Sequence, residues 1–537
     1  MNAEPGTAPQ HDADAPGLGT STLYEALRAV AERRGAATAV RTPTGERLDY
    51  DQLLLLVDRS ALGLHSRGVR PGSCVALSLR NSTGYIALIL AVARLGARYV
   101  PLLSDFDPDA LRTALVHTRP ALLVTDGSRP TPHGGPPTVT LTELTGSPDP
   151  ADAPAGPVRP AEGAAARAAS VADGAPCHTG IFRTLWTSGS TEFPKLTAWR
   201  QDKFRAERLR WNADTGIDEH DVFLCRHPLD VAHATDLHVF AALLSGAELV
   251  LADPGTPADA LLRLLREHRV TVMSALPQHY ADLVDAADRA LRSGGDRADV
   301  RLPLLRRPLC GGAYLDPTTV RRADDVLGVR IRQIYGSTEF GLALGNMDDV
   351  VQTGAGLRPV RGVGVRLAPL PGLEHPDHGE LVLRSDRSSE GYLHPLEANA
   401  RAFRDGEFWT GDFAVRAPDG TYRVLGRTVE TLTGTEGPVT APLLDEEMRA
   451  TGAVGQAVVL PVRPGGHGRE VYVAVRAARS PEEAARAVDQ VLGRHGLKGV
   501  VRFAETIPLT PVGKVDKPLL RRAFTADGPF DGGGAPR

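Results

Sequence analysis

Cysteine is scarce in this sequence: four residues, Cys74, Cys177, Cys225 and Cys310, are scattered through 537. No CxxC pair and no Cys/His cluster occurs, which argues against a disulfide framework or a zinc site as an organising feature. Excess positive charge is also missing. The net charge is −4, so no basic field exists to hold nucleic acid or an anionic membrane surface. Long apolar runs are absent too, the longest extending from Tyr85 to Ala93 before Arg94 interrupts it. That is far short of the ~20 residues needed to cross a bilayer. The N-terminal segment MNAEPGTAPQHDADAPGLG has neither a basic start nor an apolar stretch, so no signal peptide is expected and the cytoplasm is the expected address.

What is present is the composition of a globular enzyme, 42% apolar and 23% charged. The length exceeds what one compact core supports and predicts two or more domains. Thr22 to Arg33 reads as a helix, Ser73 to Leu79 as a buried strand, and Thr83 to Leu95 as a second helix. Tyr99 to Leu102, a helix from Asp109 to Val116, and Ala121 to Thr125 follow. This alternation predicts an α/β fold with parallel sheets covered by helices. Residues 127–178, rich in Pro, Gly, Ala and Asp, read as an insertion or linker within the same domain. The α/β rhythm then resumes, with a leucine stripe at Leu261, Leu262, Leu264 and Leu265 and a strand at Val270 to Met273.

The style changes after about Arg427. Ala457 to Val462 and Val471 to Val475 read as strands of a hairpin, and Ser480-Pro-Glu-Glu483 as a capped helix start. The expected organisation is a flexible tail over 1–19, a large domain over 20–426, a small α+β lid over 427–524, and a second flexible tail over 525–537. No internal repeat is found.

The strongest local signal is Thr187-Ser-Gly-Ser-Thr-Glu-Phe-Pro-Lys195, directly after the strand-like Ile181 to Trp186. Small hydroxyl side chains and a glycine supply many donors with little bulk, and Lys195 adds a point charge, which suits phosphate oxygens. The order of Gly and Lys is wrong for a Walker A loop, and an ordinary Ser/Thr-rich turn is the alternative. Downstream, after the strand-like Val329 to Ile334, stands Tyr335-Gly-Ser-Thr-Glu339, with an aromatic, two hydroxyls and a carboxylate suited to a base, a phosphate and a magnesium ion. Trp409-Thr-Gly-Asp412, then Gly426-Arg427, and finally Pro508-Leu-Thr-Pro-Val-Gly-Lys514-Val-Asp-Lys517 complete the series.

These blocks, in this order, resemble the AMP-forming adenylating superfamily of acyl- and aryl-CoA ligases, firefly-type luciferases and nonribosomal-peptide adenylation domains. Quieter markers agree: Ala93 to Ala97 with Val100-Pro101, Leu276-Pro277 with Tyr280, Gly311-Gly312-Ala313, Gly379-Glu-Leu381, and Gly391-Tyr392. The resemblance covers about Thr22 to Arg522. It implies that Thr187, Ser188, Gly189, Ser190, Thr191 and Lys195 hold the β- and γ-phosphates of ATP. It further implies that Gly311, Gly312 and Ala313 line the adenine slot, with Tyr335 stacking on the base beside Gly336. Thr338 would contact the α-phosphate, Glu339 would bind Mg2+, Asp412 would accept the ribose hydroxyls beside Arg427, and Lys514 would bridge carboxylate and α-phosphate.

That assignment makes physical sense. Attack of one anion on another needs positive charge where oxygens approach, and a carboxylate needs no general base. Lys514 on a mobile small domain could be withdrawn after adenylation.

The sequence departs from the family at three places. Glu192 stands where the phosphate loop usually carries glycine, and reads either as a solvent-facing side chain or as a tuning residue for an unusual substrate. His233 stands where amino-acid activators carry an aspartate for the substrate amine, which argues against an ordinary α-amino acid; it reads either as a pocket residue or as a hydrogen-bonded scaffold residue. Asp236 is the alternative anchor. The hinge segment Thr428 to Val439 matches the family loosely, so adenylation is better supported than thioester formation.

Three functions follow as expectations. The first is activation of a small carboxylate, with the acyl- or aryl-adenylate passed to CoA or a phosphopantetheinyl carrier protein in specialised metabolism. The second uses the adenylate without a thioester, as an amide ligase or as a diazotase activating nitrite for an aromatic amine. The third is an inactive homologue acting as a binding protein.

Overall fold

The computed structural model describes residues 22–131, 134–146, 179–187, 193–347, 356–370, 375–463, 468–510 and 514–525. The expected tail over 1–19, the second expected tail apart from Thr525, most of the expected insertion, and Ser188 to Glu192 lie outside the described residues.

Thr22 is the first described residue. Its hydroxyl accepts from the Glu25 N–H while the Glu25 carboxylate accepts from the Thr22 N–H, and this reciprocal cap starts helix Leu23–Arg34. The first large sheet has seven strands. Its centre is parallel, with Arg98–Pro101, Cys74–Ser78, Leu122–Thr125 and Thr138–Thr140 side by side. Ile181–Thr187 pairs parallel to Arg98–Pro101, and Lys195–Arg200 then Tyr392–His394 add antiparallel on the other side. The second sheet has nine strands. Its parallel core of Arg332–Ser337, Arg307–Cys310, Val272–Ala275, Val222–Cys225 and Glu248–Leu251 is flanked by antiparallel pairs at both ends.

One continuous apolar core joins the two sheets. It contains Phe182 and Leu185 of the first sheet, Phe223 and Leu249 of the second, and Ile86 to Ala93 of helix Thr83–Arg94. That helix is buried from Tyr85 through Ala93, which explains why its sequence shows an unbroken apolar run and no polar face.

A five-stranded antiparallel sheet built on His378–Arg384, Glu407–Arg416 and Tyr422–Arg427 closes the large domain. The smaller C-terminal domain has a three-stranded sheet, Val454–Pro461, Glu470–Ala477 and Lys498–Phe503, with the first pair antiparallel. Its apolar cluster, including Leu444, Met448, Val473, Val488 and Val491, is distinct from the core of the large domain. Ser480 caps helix Pro481–Arg494 by accepting from the Glu483 N–H, as the sequence predicts.

Two differences from the sequence reading have physical causes. Part of the stretch read as an insertion is regular structure: Thr138–Thr140 joins the first sheet, and Leu141–Thr145 is a helix capped by Thr140. A three-residue run of Thr and Val among prolines and glycines is too short to show a period. That helix seats on Gly63 of helix Tyr50–Ser66, where a Cβ would lie 2.5 Å from the Leu144 carbonyl oxygen. The strand read over Val329 to Ile334 instead runs Arg332–Ser337, so Tyr335 is part of the strand.

Candidate active site

A first group of the residues named from sequence is assembled where parallel strands of the second sheet end. Gly311 follows strand Arg307–Cys310, and a Cβ there would lie 2.9 Å from the Ile334 carbonyl oxygen. Only glycine allows the neighbouring strand to come so close. Gly312 turns with φ +81. The Tyr335 hydroxyl donates to Asp412 Oδ2 at 2.6 Å, and Arg427 Nε lies 3.4 Å from Asp412 Oδ1. Asp412 and Arg427 are direct partners across an antiparallel strand pair, so backbone pairing holds them together. Arg427 also donates to the Thr410 carbonyl at 3.1 Å. Burial raises the Asp412 carboxyl, and Arg427 and the Tyr335 hydroxyl pull it back.

A second group, around Lys195 and Glu339, is braced by aromatics. Thr187 and Lys195 are cross-strand partners. Phe193 packs on Phe106 and Trp186, with ring centroids 5.8 and 5.3 Å away. Trp199 Nε1 donates to the Thr338 carbonyl at 2.7 Å and fixes the turn carrying Glu339. The Tyr392 hydroxyl donates to Glu339 Oε1 at 2.8 Å, and Lys195 Nζ lies 5.1 Å from the Tyr392 ring centroid. Among the described residues no group of three or more His, Cys, Asp or Glu side chains could hold a metal ion unaided. Glu339, with one oxygen committed to Tyr392, suits a Mg2+ that takes its other ligands from phosphate and water.

Lys514 enters from the C-terminal domain, held through Thr510. Its N–H donates to Thr510 Oγ1 at 3.2 Å, and the Thr510 N–H donates to the Lys514 carbonyl at 2.6 Å. A Cβ placed on Gly312 would lie 3.9 Å from Lys514 Cε and 3.8 Å from His233 Nδ1. The lysine of one domain, the glycine turn of the other and the half-buried His233 therefore meet at one place. Burial and repulsion from Arg427 lower the Lys514 ammonium, opposed by Asp412 and Glu339.

Of the two pocket residues named from sequence, His233 reaches this place and Asp236 is committed elsewhere. Asp236 pairs with the buried Arg183 guanidinium and accepts from Thr235 Oγ1 at 2.9 Å, and Arg208 donates to its carbonyl at 3.0 Å. That carboxylate is engaged in a core ion pair with Arg183, in contrast to the reading of Asp236 as an alternative substrate anchor. Ser188, Gly189, Ser190 and Thr191 lie outside the described residues. The other residues named from sequence, Thr187, Lys195, Gly311 to Ala313, Tyr335, Gly336, Thr338, Glu339, Asp412, Arg427 and Lys514, fall on the elements that surround the site.

Sequence reasoning missed several participants. Tyr392 was visible only as a marker beside Gly391. The domain contacts Tyr314–Glu446 and Asp316–Arg449 (3.3 Å), and the pair Glu430–Lys517 (2.5 Å) within the C-terminal domain, carried no sequence signal. Three more histidines, His227, His238 and His279, stand near His233, with ring centroids 4.2 Å apart for His227 and His233. Burial lowers all of them, His238 to about 4 and His279 to about 3.

The AMP-binding enzyme family matches residues 27–393. Triostin synthetase I of Streptomyces triostinicus is 29% identical, over 91% of this chain and 92% of its own length. A 2-hydroxy-7-methoxy-5-methyl-1-naphthoate–CoA ligase of Streptomyces carzinostaticus is 28% identical, over 94% of this chain and 93% of its own. Among solved structures, ATP-bound MatB from Rhodopseudomonas palustris superposes with a TM-score of 0.78 at 21% identity, covering 94% of this chain and 99% of that one. That last likeness speaks for the fold.

Proposed function

Because the chain belongs to the AMP-binding enzyme family and is an AMP-forming ligase, we propose that it condenses a small acyl or aryl carboxylate with ATP, giving the acyl-adenylate and pyrophosphate. The observation that carries this reading is the meeting of Lys514 and His233 at Gly312, next to the Tyr335–Asp412–Arg427 cluster. A carboxylate oxygen attacks the α-phosphorus, a new P–O bond forms, and the bond to the leaving pyrophosphate breaks. Two anions must approach each other, so the positive charge of Lys514 placed there lowers the barrier. Tyr335 offers a ring to the base, Asp412 acceptors to the ribose, and Thr338 a hydroxyl to the α-phosphate. Bound at Glu339, Mg2+ would neutralise phosphate charge.

The similarity to a naphthoate–CoA ligase favours an aryl acid and a thiol acceptor, either CoA or a phosphopantetheinyl carrier. Similarity to a triostin synthetase favours specialised metabolism. We place the boundary between the domains at Arg427, where the last strand of the large domain gives way to the turn at Thr428–Glu430.

The test is acid-dependent pyrophosphate release with ATP and Mg2+, followed by mass analysis of the acyl product in the presence of CoA, carrier protein or amine. Release that collapses in Lys514→Ala supports adenylation. An amide, or with nitrite a diazonium product, in place of a thioester would reassign the second half-reaction. Failure to release pyrophosphate with any acid or with nitrite would sink the reading.

A further inference from the structure

Ser274, in strand Val272–Ala275, is 1% exposed, and each of its polar groups meets a different histidine. Its N–H donates to His238 Nε2 at 3.2 Å. Its carbonyl oxygen lies 3.2 Å from His227 Nε2, and its hydroxyl 2.9 Å from His233 Nε2. These contacts fix tautomers. A carbonyl only accepts, so His227 carries a proton on Nε2. An amide N–H only donates, so His238 Nε2 is bare, and its Nδ1–H donates to the His233 carbonyl at 3.1 Å.

His233 is the member of this group that reaches Lys514. A buried hydroxyl that fails to donate leaves a hydrogen bond unmade, and the Ser274 hydroxyl faces His233 Nε2. The imidazole proton then sits on Nδ1, the atom 3.8 Å from the Cβ point of Gly312. Burial, together with His238 and Lys514, pushes His233 well below the ordinary histidine range, so the ring stays neutral. Two donor groups, an imidazole N–H and an ammonium, thus approach the same place, and neither can accept.

We infer that Ser274 is a positioning residue that locks His233 as a neutral N–H donor beside Lys514, and that the two donors select acids bearing an oxygen acceptor next to the carboxylate over acids bearing an ammonium there. This rests on the adenylation reading above. An ammonium at that place would face donors only and repel Lys514, while a hydroxyl or carbonyl oxygen would be satisfied.

Two matched sets test the inference with the full-length protein: mandelate, phenylacetate and phenylglycine, and lactate, propionate and alanine. The expected kcat/KM for pyrophosphate release favours the hydroxy acid over the plain acid by about tenfold, the worth of one hydrogen bond, and the amino acid comes last. Ser274→Ala, which leaves the backbone contacts to His227 and His238 in place, erases that preference through the KM for the acid and leaves the KM for ATP unchanged. His233→Ala does the same, and the second substitution adds nothing to the first. Equal use of amino and hydroxy acids, a preference that survives Ser274→Ala, additive effects, or activity confined to acids lacking any acceptor would each overturn it. No pyrophosphate release with any acid would instead overturn the adenylation reading itself.

Discussion

Lys514 has a pH signature that follows from its surroundings. Burial and the Arg427 guanidinium push its ammonium below the ordinary lysine range, and in the proposed reaction the charged form is the one that would draw two anions together. Adenylation is therefore full below the depressed pKa and lost as pH rises through it. The alkaline limb of the pyrophosphate-release profile should fall below the ordinary lysine pKa, about 10.4. Lys514→Arg should move that limb upward while lowering the maximal rate. A limb that stays put in the variant would belong to another group. Asp236 makes the opposite kind of prediction. Its removal in Asp236→Ala strands the fully buried Arg183, a change that typically costs about 3–5 kcal/mol. Urea denaturation should show that loss, with the KM for the acid unchanged in the protein that remains folded. A large shift in KM at unchanged stability would return Asp236 to the pocket.

At the scale of elements, the site hangs on strand Arg332–Ser337 and its return strand Gly341–Gly345. Gly336 sits where they are closest: a Cβ would lie 2.4 Å from the Gly341 carbonyl oxygen. The contact is with backbone, so Gly336→Ala must spread the pair that carries Tyr335 and Glu339. A loss of about 2–4 kcal/mol is expected, together with weaker ATP binding by calorimetry. Unchanged melting and unchanged ATP affinity would show that the turn can relax. This element was legible because its order of residue types is local: an aromatic, a glycine, two hydroxyls and a carboxylate within five positions. Lys514 behind its glycine was legible for the same reason. The partner of Asp236 was not, since Arg183 lies 53 positions away and only the folded sheet brings them together. Ser274 was equally silent, because a serine inside an apolar strand gives no hint that three histidines surround it. The short strand Thr138–Thr140 was hidden by its proline- and glycine-rich flanks.

At the scale of the whole molecule, the question is what keeps Lys514 in the site. Arg449 of the C-terminal domain lies 3.3 Å from Asp316 of the large domain and 3.1 Å from its own Asp445. Tyr314 donates to Glu446, and Leu443 packs against the cluster of Leu370, Phe413 and Leu425. Lys517, three residues beyond Lys514, reaches back 2.5 Å to Glu430 just past Arg427. None of these side chains needs to touch the nucleotide, yet together they fix the orientation in which the lysine enters. Each polar contact is worth about 1 kcal/mol. The double variant Tyr314→Phe, Arg449→Ala should therefore lower the adenylation rate by roughly tenfold or more, since fewer molecules hold Lys514 in place. The KM for ATP should change little, because Tyr335 and Asp412 stay on the large domain. Transfer of a preformed acyl-adenylate to a thiol should proceed at the wild-type rate, as it does not call on that lysine. Single-turnover measurements of the two half-reactions separate these outcomes. Equal slowing of both would mean that the variant damages the fold, and an unchanged adenylation rate would mean that the contacts do not hold the lysine.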